Sequence, residues 1–172
     1  MKLTPMILVV SLCLTAVSVR AQTVTDAQVA AIVVAANQVD IDAGLLAASK
    51  ASEENVKGFA HVMVIEHTDV NKQATDLVAS LTVTPQDNPT SQSLKTGGEK
   101  NVAHLKTLSG AAFDKAYIDQ EITYHELVLN ALDTTLIPNG QNPELKALLV
   151  NVRSAFVRHL AHAKRVQSTI AE

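Results

Sequence analysis

The chain is 172 residues long and carries 14 Lys and Arg against 17 Asp and Glu, with one Cys, six Gly and five Pro. This length suffices for one domain with a sizeable hydrophobic core. The excess of acidic residues argues against a nucleic-acid-binding protein, which would present a basic face. Many Ala, Leu and Val residues with few Gly and Pro favour an all-helical fold.

Residues 1–21 have the pattern of a secretory signal peptide. Lys2 supplies a positive start, residues 6–17 form an apolar run, and small residues at the expected positions predict cleavage after Ala21. The run is shorter than the roughly 20 residues that a membrane-spanning helix needs. We therefore predict a single helical-bundle domain over residues 22–172, located in the periplasm or associated with the outer membrane, with no transmembrane segment after cleavage.

Cleavage would remove the only cysteine, Cys13, together with two basic residues. It leaves 12 of the 14 basic residues against 17 acidic ones, a net charge of about −5. A cysteine-free chain in an oxidising compartment must be stabilised by packing rather than by disulfides.

Two helical patterns follow the predicted signal peptide and are separated by a very short turn. The first covers residues 26–50, with Thr23 or Thr25 as its N-cap. The second begins near Ser52, where Ser-Glu-Glu-Asn resembles a helix cap, and keeps an apolar stripe to Leu77. The short turn predicts an antiparallel hairpin.

A long polar connection follows this hairpin. Residues 82–89 have the composition of a loop, and a shorter, polar helix is predicted over residues 90–108, with its pattern interrupted at Gly97 and Gly98. A helix of about 18 residues spans roughly 27 Å, so the connection is long enough to carry the chain back along a bundle.

A second hairpin completes the chain. Its first helix is predicted over residues 111–136 and is broken by Ile-Pro-Asn-Gly at residues 137–140. Its second helix begins at Pro143, with Asn142 as the cap. Two hairpins joined by one long crossover carrying a short extra helix predict a ferritin-like four-helix bundle. An up-down-up-down bundle with an extra surface helix is the alternative.

Three of the six histidines fall on the apolar stripes of three different predicted helices. Counting residues from the turn of the second hairpin places His159 and Glu121 at one level, and His125 lies one turn from Glu121 on the same face. With the crossover, His67 lies at the depth of His125, opposite residues 38–40 of the first helix. The counts predict one cluster of His67, Glu121, His125 and His159, with Asp40 as a candidate on the first helix.

Two interpretations of this cluster are open. Three neutral imidazoles with a carboxylate form a mononuclear, histidine-rich ligand set that suits Zn, Cu, Fe or Ni. The alternative is a buried polar network in which each histidine donates to a carboxylate or a carbonyl, with Tyr117 and Tyr124 as further members.

A classical di-iron centre is not expected. It requires Glu-x-x-His motifs, whereas Glu66 directly precedes His67 and Glu121 lies four residues before His125. Because Glu66 points about 100° away from its neighbour, we predict that it forms a surface salt bridge. The remaining histidines, predicted to lie on the surface, are His61, His104 and His162.

Four stretches of the sequence resemble a known bacterial family. They are LLAASKA at residues 45–51, VKGFAHVMVIEHT at 56–68, LSGAAFDKAYIDQEITYHE at 108–126, and residues 143–163. In these stretches the chain resembles the secreted proteins described as outer membrane proteins and grouped as domain of unknown function 4142 (DUF4142). The resemblance implies a ferritin-like helical fold and a secreted protein, but no reaction.

The resemblance also implies histidines directly after Glu66, Tyr124 and Arg158, where this chain carries them. The chain departs from the family on the first helix, where Asp40 and Asp42 stand in place of the expected glutamates.

Three functions follow from these observations as hypotheses. The first is a periplasmic bundle that binds a transition metal, and the second is a structural or interaction protein of the cell envelope with the histidines in a polar network. The third is a metal-dependent enzyme, for which the sequence offers no base or nucleophile outside the cluster. An envelope protein or a second copy of the chain is the candidate partner.

Overall fold

The structure, a computed structural model, describes residues 24–170. The predicted signal peptide over residues 1–21, including Cys13, and the alternative cap Thr23 lie outside the described residues. Within them the fold is an all-helical bundle without strands, as predicted. Its elements are α1 (Asp26–Lys50), α2 (Glu54–Ser80), α3 (Pro89–Lys106), α4 (Gly110–Ala131), a π-helical segment (Leu132–Leu136), α5 (Ile137–Asn139) and α6 (Pro143–Ile170).

The predicted cap of α1 is confirmed, but the predicted cap of α2 is wrong. Thr25 and Gln28 form a reciprocal capping box at the start of α1. No side chain of the turn caps α2; instead the carboxylate of Asp114 in α4 accepts hydrogen bonds from the backbone N–H of Ser52 at 3.0 Å and of Glu53 at 2.9 Å. The first turn is thereby tied to the start of α4.

Contacts at both ends of α3 establish the crossover. At its start the Asn88 amide donates to the Gln28 carbonyl oxygen at 3.2 Å, and at its end the Lys50 ammonium donates to the Lys106 carbonyl oxygen at 2.6 Å. Helix α3 therefore runs the length of α1 in the same direction. The bundle consists of two antiparallel hairpins joined by one long crossover, which is the predicted connectivity; the ferritin-like relationship itself stays a prediction.

Helix α3 is continuous through the glycine pair, so the predicted interruption is wrong. A Cβ atom placed on Gly98 would lie only 2.7 Å from Cγ2 of Val39 in α1. The glycine thus permits the two helices to approach closely. Gly97 has open space around its Cβ position.

The predicted break after residue 136 is also wrong. The helix continues as the π-helical segment and α5, so Ile-Pro-Asn forms its last turn. Pro138 has no N–H to donate to the preceding turn, and the backbone N–H of Ile137 instead donates to Leu132 O across the wider π spacing. The predicted cap of α6 is confirmed, because Asn142 Oδ1 accepts from the backbone N–H of Glu144 at 2.8 Å.

Two apolar clusters fill the two ends of the bundle. One is built around Leu132, Leu149 and Phe156, and the other around Phe59, Tyr117 and their neighbours. A layer of buried polar side chains lies among the helices between them. We call it the polar layer, and it consists of Asn37, Asp40, His67, Glu121, His125 and His159.

Helix α1 is long and apolar enough to cross a membrane by length and composition alone, with a mean hydropathy of 1.6 over its best 18-residue window. In the bundle, 72% of that window is buried. The helix also carries Asn37 and Asp40 into the polar layer. The apolar side chains of α1 are therefore mostly buried against the other helices, as in the core helix of a globular bundle.

Candidate metal centre

The structure brings all five predicted site residues together. They come from α1, α2, α4 and α6, and each is at most 2% exposed. Their candidate ligand atoms form two groups, within each of which the atoms lie within 4.8 Å of one another. The groups are His67, His125 and His159, and Asp40, Glu121 and His125.

His67 is oriented by an amide on α1. Its Nδ1 lies 2.7 Å from Asn37 Oδ1, while the Asn37 amide nitrogen donates to the Val33 carbonyl oxygen at 2.7 Å. Because the amide oxygen can only accept, Nδ1 of His67 carries the proton. Its Nε2 is then left as a lone pair with no hydrogen-bond partner.

His125 is oriented by its own helix. Its Nδ1 lies 2.9 Å from the carbonyl oxygen of Glu121, one turn earlier in α4. A carbonyl oxygen also only accepts, so the proton again lies on Nδ1. The Nε2 atom of His125 is buried without a partner.

His159 is oriented by a carboxylate on α2, and here Nε2 rather than Nδ1 is the hydrogen-bonded nitrogen. Its Nε2 donates to Glu66 Oε2 at 2.9 Å, and Arg158 contacts the same oxygen at 3.3 Å. Partial burial acts to raise the pKa of Glu66, but the contacts with His159 and Arg158 outweigh it and lower that pKa. The carboxylate is therefore ionised, and Nδ1 of His159 is left unpartnered.

The three imidazoles thus share one arrangement. Each gives its N–H to an acceptor and keeps a buried lone pair, and the three rings contact one another with centroids 4.8–5.7 Å apart. Metal-binding histidines have this pattern, in which an outer acceptor fixes the tautomer and the ring orientation. Burial lowers the pKa of all three, to about 3 for His125, so the rings are neutral.

The two carboxyl groups face the histidines from beyond hydrogen-bond distance. Asp40 Oδ2 lies 3.5 Å from His67 Nε2, and Glu121 Oε2 lies 3.6 Å from His125 Nδ1, beyond ordinary hydrogen-bond lengths. Burial raises the pKa of Glu121 to about 8 and that of Asp40 well above its ordinary value, with Glu121 adding to the rise at Asp40. Without a cation, Glu121 is mainly protonated at neutral pH.

The two tyrosines that we predicted as members of a network lie differently. Tyr117 is fully buried and its hydroxyl has no partner; burial, followed by the charges of Glu121 and Asp40, raises its pKa. Tyr124 donates to the carbonyl oxygen of Ala36 at 3.0 Å. Tyr117 therefore borders the polar layer with an unpaired group, whereas Tyr124 is satisfied by backbone.

The donor set fits one transition-metal ion. His125 belongs to both ligand groups and, with Nδ1 engaged, has a single lone pair to give, so the two groups meet at its ring. Zinc bonds of 2.0–2.1 Å in a tetrahedron place ligand atoms about 3.3 Å apart. Within each group the candidate atoms lie within 4.8 Å of one another, so side-chain rotations would be needed to bring them to bonding distance of one ion.

Sequence reasoning missed two residues that orient the site. Asn37 lies one turn before the position predicted to oppose His67, and Glu66 was assigned only to the surface. Glu66 does pair with Arg158 at the surface, but it also holds His159. A buried asparagine on the apolar face of α1 was the signal that could have indicated the first of these.

The other acidic and histidine candidates lie away from the site. Asp42 is exposed and accepts from Gln38 at 2.8 Å. His61 and His104 are exposed as predicted. The surface prediction for His162 is wrong, because its ring is half-buried against that of Phe59, with centroids 5.1 Å apart. None of these side chains belongs to the polar layer.

Comparison with known proteins places the chain in a family but assigns it no activity. No curated protein and no solved structure matches it. The family model described as "Domain of unknown function (DUF4142)" matches residues 13–166. Most of the chain, including every residue of the polar layer, lies within the matched range. The chain therefore belongs to the DUF4142 family.

Proposed function

We propose that this protein is a periplasmic transition-metal-binding protein, with one ion held by His67 Nε2, His125 Nε2 and His159 Nδ1 and by the carboxylates of Asp40 and Glu121. A single observation carries the proposal. Each imidazole has its N–H fixed by an acceptor, and the remaining lone pairs are buried without partners. Export is supported by the signal-peptide pattern of residues 1–21.

The concentration of unsatisfied atoms at one place supports this function. Among the described residues, seven of the eight buried side-chain polar atoms without a hydrogen bond belong to the five site residues and Tyr117. Leaving such a buried group unpaired costs about 1–3 kcal/mol. A cation coordinated by these atoms would remove most of that cost and would keep both carboxylates ionised.

A polar network in a structural protein of the envelope is the second candidate. It is favoured by the pKa values, since neutral imidazoles beside a protonated Glu121 reduce the buried charge without a cation. It is disfavoured by the 3.5 Å between Asp40 Oδ2 and His67 Nε2 and by the buried Nε2 of His125, which has no partner. A network selected for packing would bring donors and acceptors within about 3.2 Å.

The proposal is tested by equilibrium dialysis of the mature protein against Zn²⁺, Cu²⁺, Ni²⁺ and Fe²⁺, followed by metal analysis. We expect one ion per chain for at least one of these metals. We also expect binding to be abolished in His67→Ala and His159→Ala. The variant Asp40→Asn, which preserves shape, keeps the fold testable and should weaken binding.

Two exposed histidines provide matched controls, because His61→Ala and His104→Ala remove imidazoles that lie outside the polar layer. Circular dichroism of each variant establishes that the bundle is folded. Stoichiometric binding that persists in both His67→Ala and His159→Ala, or that disappears in the surface variants instead, contradicts the proposal.

A further inference from the structure

A pocket of about 510 Å³ lies between α1, α3 and α4 and reaches the carboxylate side of the polar layer. Asp40 and Glu121 line it, and none of the three site histidines does. Both carboxyl groups are at most 2% exposed and have oxygens without a hydrogen-bond partner. The inner wall of the pocket is therefore one side of the proposed metal centre.

The histidine side of the centre is closed. The ring of Phe156 packs on His67 at 5.1 Å and on His125 at 4.8 Å between centroids. Glu66, with Arg158 beside it, covers the outer nitrogen of His159. A molecule arriving from solvent therefore meets the centre through the pocket, past the carboxylates.

The lining of the pocket favours uncharged ligands. It contains no Lys, Arg or His, and two ionised carboxylates beside a divalent ion leave the centre with no net charge, so an anion finds neither a cationic side chain nor a net positive charge. An organic cation likewise finds no net negative charge, because the metal ion balances both carboxylates. Apolar side chains and neutral amides form the rest of the wall, among them Val39, Leu94, Leu127, Asn101 and Gln120.

The volume is that of a small-molecule site. Pockets for organic ligands commonly measure about 300–1,000 Å³ and combine apolar walls with a few polar groups. We propose that this pocket admits a small, uncharged organic molecule whose nitrogen or oxygen donor coordinates the metal ion from the carboxylate side. The proposal rests on the proposed function, because the ion supplies the coordination position.

Helix α3 offers positions at which the pocket can be filled without disturbing the fold. Gly97 lines the pocket, and a Cβ atom there meets nothing within 4 Å, so Gly97→Leu adds bulk from a position with open space at its Cβ. Ser93, one turn earlier and exposed, also lines it and allows an independent variant, Ser93→Phe. Gly58 in α2 is equally exposed and unobstructed but lies away from the pocket, so Gly58→Leu is the matched control.

The test uses the Co²⁺-loaded protein at about pH 8, where imidazole is an uncharged nitrogen donor. Imidazole and azide are titrated separately while the visible absorption of the cobalt is followed. We expect imidazole to shift the spectrum saturably and at lower concentration than azide. Gly97→Leu and Ser93→Phe should weaken imidazole binding about tenfold or more while the cobalt content is unchanged, and Gly58→Leu should bind imidazole as the parent protein does.

The other possible outcomes contradict either the inference about the pocket or the proposed function. Cobalt retained with equal imidazole binding in both filled variants, or azide binding more tightly than imidazole, overturns this inference and leaves the proposed function standing. Loss of cobalt from Gly97→Leu and Ser93→Phe also overturns it, since the pocket would then be needed for the ion itself. A parent protein that binds no ion overturns the proposed function and this inference together.

Discussion

Glu66 determines which nitrogen of His159 faces the polar layer. Its carboxylate accepts the Nε2 proton at 2.9 Å, and this leaves Nδ1 as the inward lone pair. The contact spans two helices and 93 residues of sequence. Glu66 is thus a positioning residue, acting on the metal only through the ring it holds.

Removing this carboxylate should weaken metal binding. For Glu66→Ala we expect a loss of about 10- to 100-fold in metal affinity, because an outer hydrogen-bond partner that orients a ligating histidine has this effect. Glu66→Gln keeps an acceptor oxygen and should lose less. Competition titration against a chelator of known affinity measures both values.

The control for this prediction is Glu126→Ala. Glu126 is an exposed glutamate on α4 that pairs with Lys164 at 2.7 Å, so its removal changes surface charge but touches no site histidine. Equal metal affinity in Glu66→Ala and the parent protein would contradict the role assigned to Glu66.

At this scale the sequence predicted the inward-facing residues but not their partners. Helical periodicity and distance from the turns suffice to bring His67, Glu121 and His125 to one level. The Glu66 contact depends on how α2 crosses α6, which a single sequence does not specify. A residue rotated 100° from the apolar stripe therefore looks solvated until a neighbouring helix is in place.

Helix α3 is held against α1 by a close approach at Gly98. The predicted interruption at the glycine pair came from weighing helix propensity alone, in which Gly costs about 1 kcal/mol relative to Ala. The helix nevertheless continues through Gly98, because Val39 of α1 occupies the space that a side chain at this position would need. The π-helical turn before Pro138 was missed for a similar reason, since proline signals a lost hydrogen bond but not how the chain accommodates it.

The two adjacent glycines should respond in opposite directions to the same substitution. Gly98→Ala places a Cβ atom 2.7 Å from Val39, and we expect the free energy of unfolding to fall by about 1–3 kcal/mol through overpacking. Gly97→Ala meets nothing within 4 Å and should raise it by about 0.5–1 kcal/mol through better helix propensity. Urea denaturation of the metal-free variants measures both changes, and equal effects at the two positions would contradict the close approach.

The whole molecule is organised around a polar layer between two apolar clusters. The buried histidines have pKa values below those of an unfolded chain, so protonation at low pH favours unfolding. The buried carboxyl groups have raised pKa values, so ionisation at higher pH also favours unfolding. The sequence predicted that these residues lie at one depth in the bundle. The direction of each pKa shift could be assigned only once the structure showed that they are buried.

The metal-free protein should therefore lose stability on both sides of an optimum. Glu121 titrates near 4.5 when unfolded and near 8 when folded, so its contribution is complete below pH 4.5 and is lost as the pH rises towards 8. His125, at 6.5 unfolded and about 3 folded, contributes fully above pH 6.5 and loses this as the pH falls towards 3. The contributions of Glu121 and His125 to the free energy of unfolding change with pH in opposite directions, each by up to about 1.4 kcal/mol per pH unit. These two changes cancel between pH 4.5 and 6.5, where we expect maximum stability.

Metal binding should oppose the loss of stability that the metal-free protein shows above pH 6.5. An ion held by the polar layer competes with protons for Glu121 and the imidazoles, so its stabilising effect grows as the pH rises. We expect the melting temperature of the metal-free protein to fall between pH 6.5 and 8, and the difference between loaded and metal-free protein to widen over the same range. Glu121→Gln should flatten the metal-free decline, whereas Glu126→Gln at the surface should leave it intact. Calorimetric melting at each pH measures these differences, and a metal-free melting temperature that is constant from pH 6.5 to 8 would contradict a buried, protonated Glu121 in the polar layer.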